Sequence, residues 1–180
     1  MTLEKKPISL TVNGQKVGPI NVPIGMPMVD FLHHYLNLTG TRFGCGQGVC
    51  HACTVIEIKD GIKTQTRTCV YGAHMFDGRE IITIEGHAKH DANGEVTKLT
   101  PIQEAFIDLF AFQCSYCTPG FVTGATVLID ELKRKPVKRE NLEAAIEQGL
   151  NDHICRCTGY VRYYEAVRKV ALDTPGCVID

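Results

Sequence analysis

The residues of this chain best suited to chemistry are nine cysteines. A thiolate is both a nucleophile and a soft metal ligand. Eight of the cysteines stand in short groups, whereas Cys177 stands alone near the C-terminus, where it is interpreted as a spectator thiol. Grouping of this kind, without an export signal, predicts metal centres rather than disulfide bonds. The grouped cysteines are Cys45, Cys50, Cys53, Cys69, Cys114, Cys117, Cys155 and Cys157.

The first cysteine set has the spacing Cys45-x4-Cys50-x2-Cys53, followed by Cys69. This is the spacing with which plant-type ferredoxins hold a [2Fe–2S] cluster. Three thiolates from one short loop must converge on two iron atoms, so the loop has to fold back tightly. Glycines supply the positive φ angles that such a turn requires. Zinc is the less suitable alternative, because zinc sites favour cysteines paired at short spacing. The loop glycines are Gly44, Gly46 and Gly48.

The second cysteine set consists of Cys114-x2-Cys117 and Cys155-x-Cys157. Each pair precedes a predicted helix, where free N–H groups and the positive end of the helix dipole favour negative charge. An all-thiolate iron–sulfur centre is anionic and suits such a place. By spacing alone, four thiolates suit zinc as well as iron and sulfide.

The elements that position the first cysteine set read as short strands with one helix. Asn13-Gly14 and Asp60-Gly61 each separate two alternating apolar segments, which predicts two tight hairpins. The order of strand, strand, helix and strands is typical of a β-grasp fold. The predicted strands cover 8–12, 16–22, 54–59, 63–70 and 81–84, and the predicted helix covers 27–37.

The elements that position the second cysteine set read as helices. Thr100, Pro101 and Gln103 form a capping-box pattern, and Thr118-Pro119 starts another helix in the same way. Apolar residues then recur at helical spacing over 102–110, 122–132, 139–148 and 160–172, which predicts a four-helix bundle. Fold class is therefore α+β, with a β-grasp domain over 1–86, a polar linker over 87–99 and a helical domain over 100–180.

Composition excludes several classes of function. Formal net charge is −1, so no basic excess indicates nucleic-acid binding. No apolar segment is long enough to span a membrane, and no dinucleotide fingerprint predicts a flavin or NAD site. The N-terminal residues show no export signal, so a cytoplasmic location is expected. A periplasmic, membrane-associated complex is the alternative, if a partner is exported together with this chain.

Three segments, GCGQGVCHACTV, QCSYCTPGF and CRCTGY, together resemble one known family. They are similar to the small iron–sulfur subunit of the xanthine dehydrogenase/aldehyde oxidoreductase family of molybdenum hydroxylases. TIEGH and TPIQEAF match as well, so the resemblance covers nearly the whole chain. It implies two [2Fe–2S] clusters, one near the surface on the first cysteine set and one buried on the second. It also implies a large partner subunit with molybdopterin.

The same resemblance implies a direction for electrons. They would pass from molybdenum to the second cysteine set, then to the first, and leave to a flavin subunit or a c-type cytochrome subunit. By motif match, Gln113 and Cys157 would lie closest to the pterin. The chain has no substrate-converting site, so it would act within a multi-subunit oxidoreductase of aldehydes or N-heterocycles. A zinc-stabilised interaction module and a free ferredoxin-type shuttle are the alternative functions.

Two positions depart from the family. Gln47 stands where the family usually has Glu, and His51 where it usually has Gly. Both bear on the potential and the docking partner of the first cluster; a larger residue at position 51 would suit a different acceptor, such as a cytochrome. His51 and His153 flank cysteines and could be ligands, as in Rieske-type centres. Eight cysteines already fill two four-thiolate sites, which favours a packing role for both histidines.

Overall fold

A five-stranded mixed sheet forms the first part of the fold, in a computed structural model that describes residues 3–180. The strand order is β2-β1-β5-β3-β4. Strands β1 and β5 are parallel, and the other neighbouring pairs are antiparallel. We call this sheet, together with the helix α1 (Met28–Leu36), the sheet lobe. The strands are β1 (Lys5–Val12), β2 (Gln15–Pro23), β3 (Thr54–Lys59), β4 (Ile62–Arg67) and β5 (Glu80–Ile82).

Both predicted hairpins are confirmed. Asn13 and Gly14 have φ angles of 53° and 78°, and Asp60 and Gly61 have 52° and 75°. Two successive positive φ values define the type I′ turn, whose twist matches that of the strands it joins. The local sequence therefore fixes the register of β1 with β2 and of β3 with β4.

Helix α1 (Met28–Leu36) packs on the sheet through its apolar residues, since Met28, Val29, Phe31 and Leu32 are fully buried. It ends at Asn37, which takes a left-handed conformation with a φ of 54°. Val29 also lies against two cysteine side chains of the first set. Helix α1 thus supports both the sheet and the loop that holds these thiols.

Four helices form the helical lobe and share one hydrophobic core. The predicted capping box of the first is confirmed: Thr100 Oγ1 accepts from the N–H of Gln103 at 3.3 Å, and Gln103 Oε1 accepts from the N–H of Thr100 at 2.9 Å. These contacts satisfy N–H groups that lack helical partners. The helices are α2 (Pro101–Asp108), α3 (Thr118–Arg134), α4 (Leu142–Leu150) and α5 (Val161–Asp173).

Local details differ from the sequence predictions. Helix α3 is capped by Cys117, so Thr118 lies inside its first turn. Strand β4 ends at Arg67, which leaves Cys69 in the following turn. The 87–99 segment is not wholly irregular, since it contains a small exposed hairpin. A short parallel pair also ties the C-terminal segment to the end of α3. These strands are β6 (Lys89–His90), β7 (Val96–Lys98), β8 (Val137–Lys138) and β9 (Val178–Ile179).

The two lobes meet where α3 packs against β3 and β4. Gly120, in the first turn of α3, lies so close to the sheet lobe that a Cβ there would stand 2.4 Å from the His51 carbonyl oxygen. An ion pair between Lys63 Nζ and Asp130 Oδ1, 3.2 Å apart, joins the lobes farther along α3. Within residues 3–180, no helix is both long and apolar enough to cross a membrane.

Candidate metal centres

The loop of the first cysteine set wraps around the sulfur of Cys45. That sulfur accepts three backbone N–H groups, from Gln47 and Val49 at 3.3 Å and from Cys50 at 3.4 Å. Burial opposes the thiolate, yet these donors outweigh it and lower the pKa of Cys45 to about 6. The loop therefore stabilises negative charge on this sulfur before any metal is considered.

Glycine conformations in this loop agree with the prediction at two of three positions. Gly46 and Gly48 have positive φ angles of 67° and 71°. Gly44 does not have a positive φ, so this prediction is wrong. The role of Gly44 is instead to leave space for the side chain of Cys50. A Cβ at Gly44 would stand only 2.8 Å from Cys50 Sγ, so a larger residue would collide with the thiol.

The remaining thiols of the first set lie deeper. Cys53 and Cys69 are 1% and 8% exposed, and their side chains are in hydrogen-bonding contact. Burial raises the pKa of Cys53 to about 12; the backbone N–H of Cys69 opposes this shift, and the Cys69 thiol adds to it. Cys45 and Cys50 are likewise in contact with each other. The first set thus consists of one half-buried pair at the surface and one buried pair beneath it.

The second cysteine set is also arranged in pairs. Cys114 Sγ and Cys157 Sγ are 3.5 Å apart and exposed, whereas Cys117 and Cys155 are in contact deeper in the lobe. Burial raises the pKa of Cys117 to about 11; the hydrogen bond from Tyr163 opposes this shift, and the Cys155 thiol adds to it. Burial also opposes the Cys155 thiolate, but the hydroxyl and N–H of Thr158 outweigh it and lower the pKa of Cys155. These Thr158 atoms lie 3.0 and 3.4 Å from the sulfur.

The arrangement of the thiols in pairs indicates which kind of metal group they can hold. Each iron of a [2Fe–2S] cluster takes two protein ligands, so four sulfurs are needed as two pairs rather than around one point. Both cysteine sets have this arrangement. Across the described part of the chain, no three His, Cys, Asp or Glu side chains are grouped to hold one metal ion. The donor chemistry of both sets therefore fits a two-iron cluster.

Two hydrogen bonds connect the cysteine sets across the lobe boundary. The N–H of Ile154, next to Cys155, donates to the carbonyl oxygen of Cys50 at 3.1 Å. The hydroxyl of Tyr116, next to Cys117, donates to the carbonyl oxygen of Phe43 at 2.6 Å. Both bonds join a segment of one set to the loop of the other, and they hold the two sets at a fixed separation.

His51 and His153 pack against each other between the two sets, with ring centroids 5.1 Å apart. His51 has a φ of 57°, so a non-glycine residue adopts the left-handed conformation here. Its Nε2 lies 3.2 Å from Arg67 Nη1, and His153 Nε2 lies 2.9 Å from Gln65 Oε1. Burial, followed by the neighbouring His51, lowers the pKa of His153 to about 3. Burial, and then Arg67, lowers the pKa of His51 as well.

The two remaining residues that the sequence singled out, Gln113 and Cys177, have different surroundings. Gln113 is exposed beside the exposed pair Cys114 and Cys157. Cys177 is fully buried in the core of the helical lobe. Its sulfur lies 3.7 Å from the carbonyl oxygen of Ile129, which is 48 residues away in the chain. The hydrogen-bond partner of this thiol is a backbone carbonyl oxygen rather than a thiol of either set, and the side chain packs as an apolar one.

Sequence reasoning missed the residues that contact the sulfurs from outside the motifs. The apolar periodicity of α5 does not single out Tyr163, but this side chain is fully buried and its hydroxyl lies 3.4 Å from Cys117 Sγ. The sequence gives no signal for this contact, because 46 residues separate the two positions. Thr158 could have been found, since it directly follows the last cysteine of the set.

Comparison with known proteins agrees with this geometry. The model of the [2Fe-2S] binding domain family matches residues 83–168. The chain is 38% identical over 169 residues to the nicotine 6-hydroxylase small subunit of Paenarthrobacter nicotinovorans, covering 94% of this chain and 89% of that one. It is 34% identical over 166 residues to the nicotinate dehydrogenase small FeS subunit of Eubacterium barkeri, covering 92% and 95%. A chain of quinoline 2-oxidoreductase from Pseudomonas putida 86 matches with a TM-score of 0.77 and 30% identity, over 97% and 94%.

Proposed function

Since the chain belongs to the family of small iron–sulfur subunits of molybdenum hydroxylases, we propose that it conducts electrons through two [2Fe–2S] clusters. The β-grasp domain (1–86) would hold the first cluster, and the helical domain of four helices (100–180) the second, with 87–99 as the linker. The first cluster would use Cys45, Cys50, Cys53 and Cys69. The second would use Cys114, Cys117, Cys155 and Cys157.

One observation carries this proposal: the hydrogen bond from the Ile154 N–H to the Cys50 carbonyl oxygen, at 3.1 Å. Cys50 belongs to the first set, and Ile154 is bonded directly to Cys155 of the second. The connection between the two sulfurs therefore consists of covalent bonds and a single hydrogen bond. A structural zinc module has no need of such a connection between its sites.

Exposure supports an entry side for electrons. Cys114, Cys157 and Gln113 are all exposed in this chain, and the solvent exposure of its ligands is one of the factors that set the potential of a cluster. We expect the large molybdopterin subunit to cover this surface, with Gln113 and Cys157 nearest the pterin. Electrons would enter the chain here.

The surface around the first cysteine set is suited to be the place where electrons leave the chain. Phe43, Val49 and Val70 are exposed by 47%, 56% and 45% around the half-buried pair Cys45 and Cys50. Apolar side chains that rim an exposed centre favour protein docking. A flavin subunit or a c-type cytochrome subunit would receive the electrons at this surface. The substrate, an aldehyde or an N-heterocycle, would be selected by the large subunit.

The test compares Cys155→Ala with Cys177→Ala in the purified complex, since both replace a buried cysteine. Wild-type chain should contain about four iron atoms, as two clusters require, and show two EPR signals on reduction. Cys155→Ala should lose one signal and half of the iron, and substrate should no longer reduce the first cluster. A small-molecule reductant should still reduce that cluster directly.

Cys177→Ala should retain both signals and all of the iron. Zinc in place of iron in the wild-type chain would contradict the proposal. Substrate-driven reduction of the first cluster in Cys155→Ala, with the second signal absent, would also contradict it.

A further inference from the structure

Tyr163 presents its hydroxyl to the deeper thiol pair of the second cysteine set. The side chain is fully buried, and its ring is parallel to that of Phe121, with centroids 4.1 Å apart and 2° between planes. The hydroxyl oxygen lies 3.4 Å from Cys117 Sγ and 3.0 Å from Thr118 Oγ1. Stacking on Phe121 and burial hold the phenol in this position.

The chemistry of the three groups fixes the direction of these hydrogen bonds. A phenol has one proton to donate, and a thiolate that binds metal has none. Cys117 as a cluster ligand can therefore only accept, so Tyr163 donates to its sulfur. Thr118 Oγ1 then donates to the oxygen of Tyr163. The result is an ordered chain from threonine to tyrosine to thiolate.

We propose that Tyr163 is a positioning residue that raises the reduction potential of the second cluster by donating this hydrogen bond to Cys117. The inference rests on the proposed function. Reduction adds one negative charge to the cluster and its thiolates, so a donor stabilises the reduced form more than the oxidised form. The bond is buried, where the lower dielectric strengthens its effect.

Hydroxyl donors are concentrated on one side of the second set. The Tyr163 hydroxyl donates to Cys117 Sγ, and the Thr158 hydroxyl donates to Cys155 Sγ at 3.0 Å. The described hydrogen bonds include no hydroxyl donor to Cys114 or Cys157. The side with the donors is the one joined to the first set through Ile154. Tyr163 therefore acts on the thiol pair nearest to the exit path, and it lies outside the three cysteine motifs.

The experiment uses Tyr163→Phe in the intact complex, because phenylalanine keeps the stacked ring and removes only the hydroxyl. Potentiometric titration followed by EPR measures each cluster separately. We expect the equilibrium constant for reduction of the second cluster to fall about tenfold, which converts to about 59 mV for one electron. The potential of the first cluster and the iron content should not change.

Tyr164→Phe is the matched control, since Tyr164 is the next residue of α5 and the described hydrogen bonds include none from its hydroxyl. It should leave both potentials unchanged. Thr118→Val removes the group that donates to Tyr163 and should lower the second potential by a smaller amount. This variant also tests the chain of hydrogen bonds if Tyr163→Phe fails to retain its cluster.

An unchanged second potential in Tyr163→Phe, with both signals intact, would overturn the inference and leave Tyr163 a packing residue. An unchanged potential in Thr118→Val would do the same if the tyrosine variant had lost its cluster. Failure of the proposed function is distinguishable, since the wild-type complex would then lack iron or one of the two EPR signals.

Discussion

Gly120→Ala should separate the two lobes at their closest backbone contact. Gly120 lies in the first turn of α3, directly over the loop that carries the first cysteine set. A methyl group at this position would lie 2.4 Å from the carbonyl oxygen of His51 and 3.1 Å from Cα of Ala52. Both neighbours are backbone atoms, so neither can move aside as a flexible side chain would.

The size of the effect follows from this geometry. Ordinary contact begins at 3.4 Å, so the lobes must move apart by about 1 Å, the difference between 3.4 and 2.4 Å. Overpacking of this kind costs about 2 kcal/mol. Replacing glycine by alanine stabilises a helix by about 1 kcal/mol. Loss of the hydrogen bond from Ile154 to Cys50 destabilises the fold by about 1 kcal/mol. The free energy of unfolding should fall by about 2 kcal/mol, which lowers the melting temperature by about 4–8 °C.

The assay is thermal unfolding of the loaded chain, followed by circular dichroism and by cluster absorbance. Gly149→Ala is the control, because the nearest atoms that a Cβ there would meet belong to the side chain of Leu128, at 3.0–3.3 Å, and not to backbone. The helix gain of about 1 kcal/mol should offset this crowding, so its free energy of unfolding should change by less than about 0.5 kcal/mol. In the complex, Gly120→Ala should also slow reduction of the first cluster. A melting temperature for Gly120→Ala equal to or above that of Gly149→Ala would refute the reasoning.

Two further predictions concern stability. Thr100→Ala removes one half of the capping box and should lower the free energy of unfolding by about 1 kcal/mol. Urea titration measures this change, and an unchanged urea midpoint would contradict it. His87 has a pKa lowered to about 4, first by burial and then by Lys63, with Glu85 opposing. Between its ordinary pKa of about 6.5 and this value, only the unfolded chain binds the proton, so stability falls as pH decreases. His87→Gln should reduce this loss between pH 7.5 and 5.5; equal slopes would argue against it.

Much of the fold could be predicted because its signals are local. Asn13-Gly14 and Asp60-Gly61 set two hairpins through backbone conformations that few other residues adopt. The capping box at Thr100 depends on atoms three residues apart and was found where expected. Positions that fail, such as Gly44, fail because a glycine in a loop can supply either a positive φ or empty space, and spacing does not distinguish the two.

Sequence by itself determined which residues form the two cysteine sets, since the spacing of thiols along short loops is a local property. Only the tertiary structure decided how the sets are joined and surrounded. The contact of Tyr163 with Cys117, the bond from Ile154 to Cys50 and the fit of Gly120 against His51 all join segments distant in the chain. Such contacts depend on how two separate cores pack together, and no local pattern of residues encodes that packing.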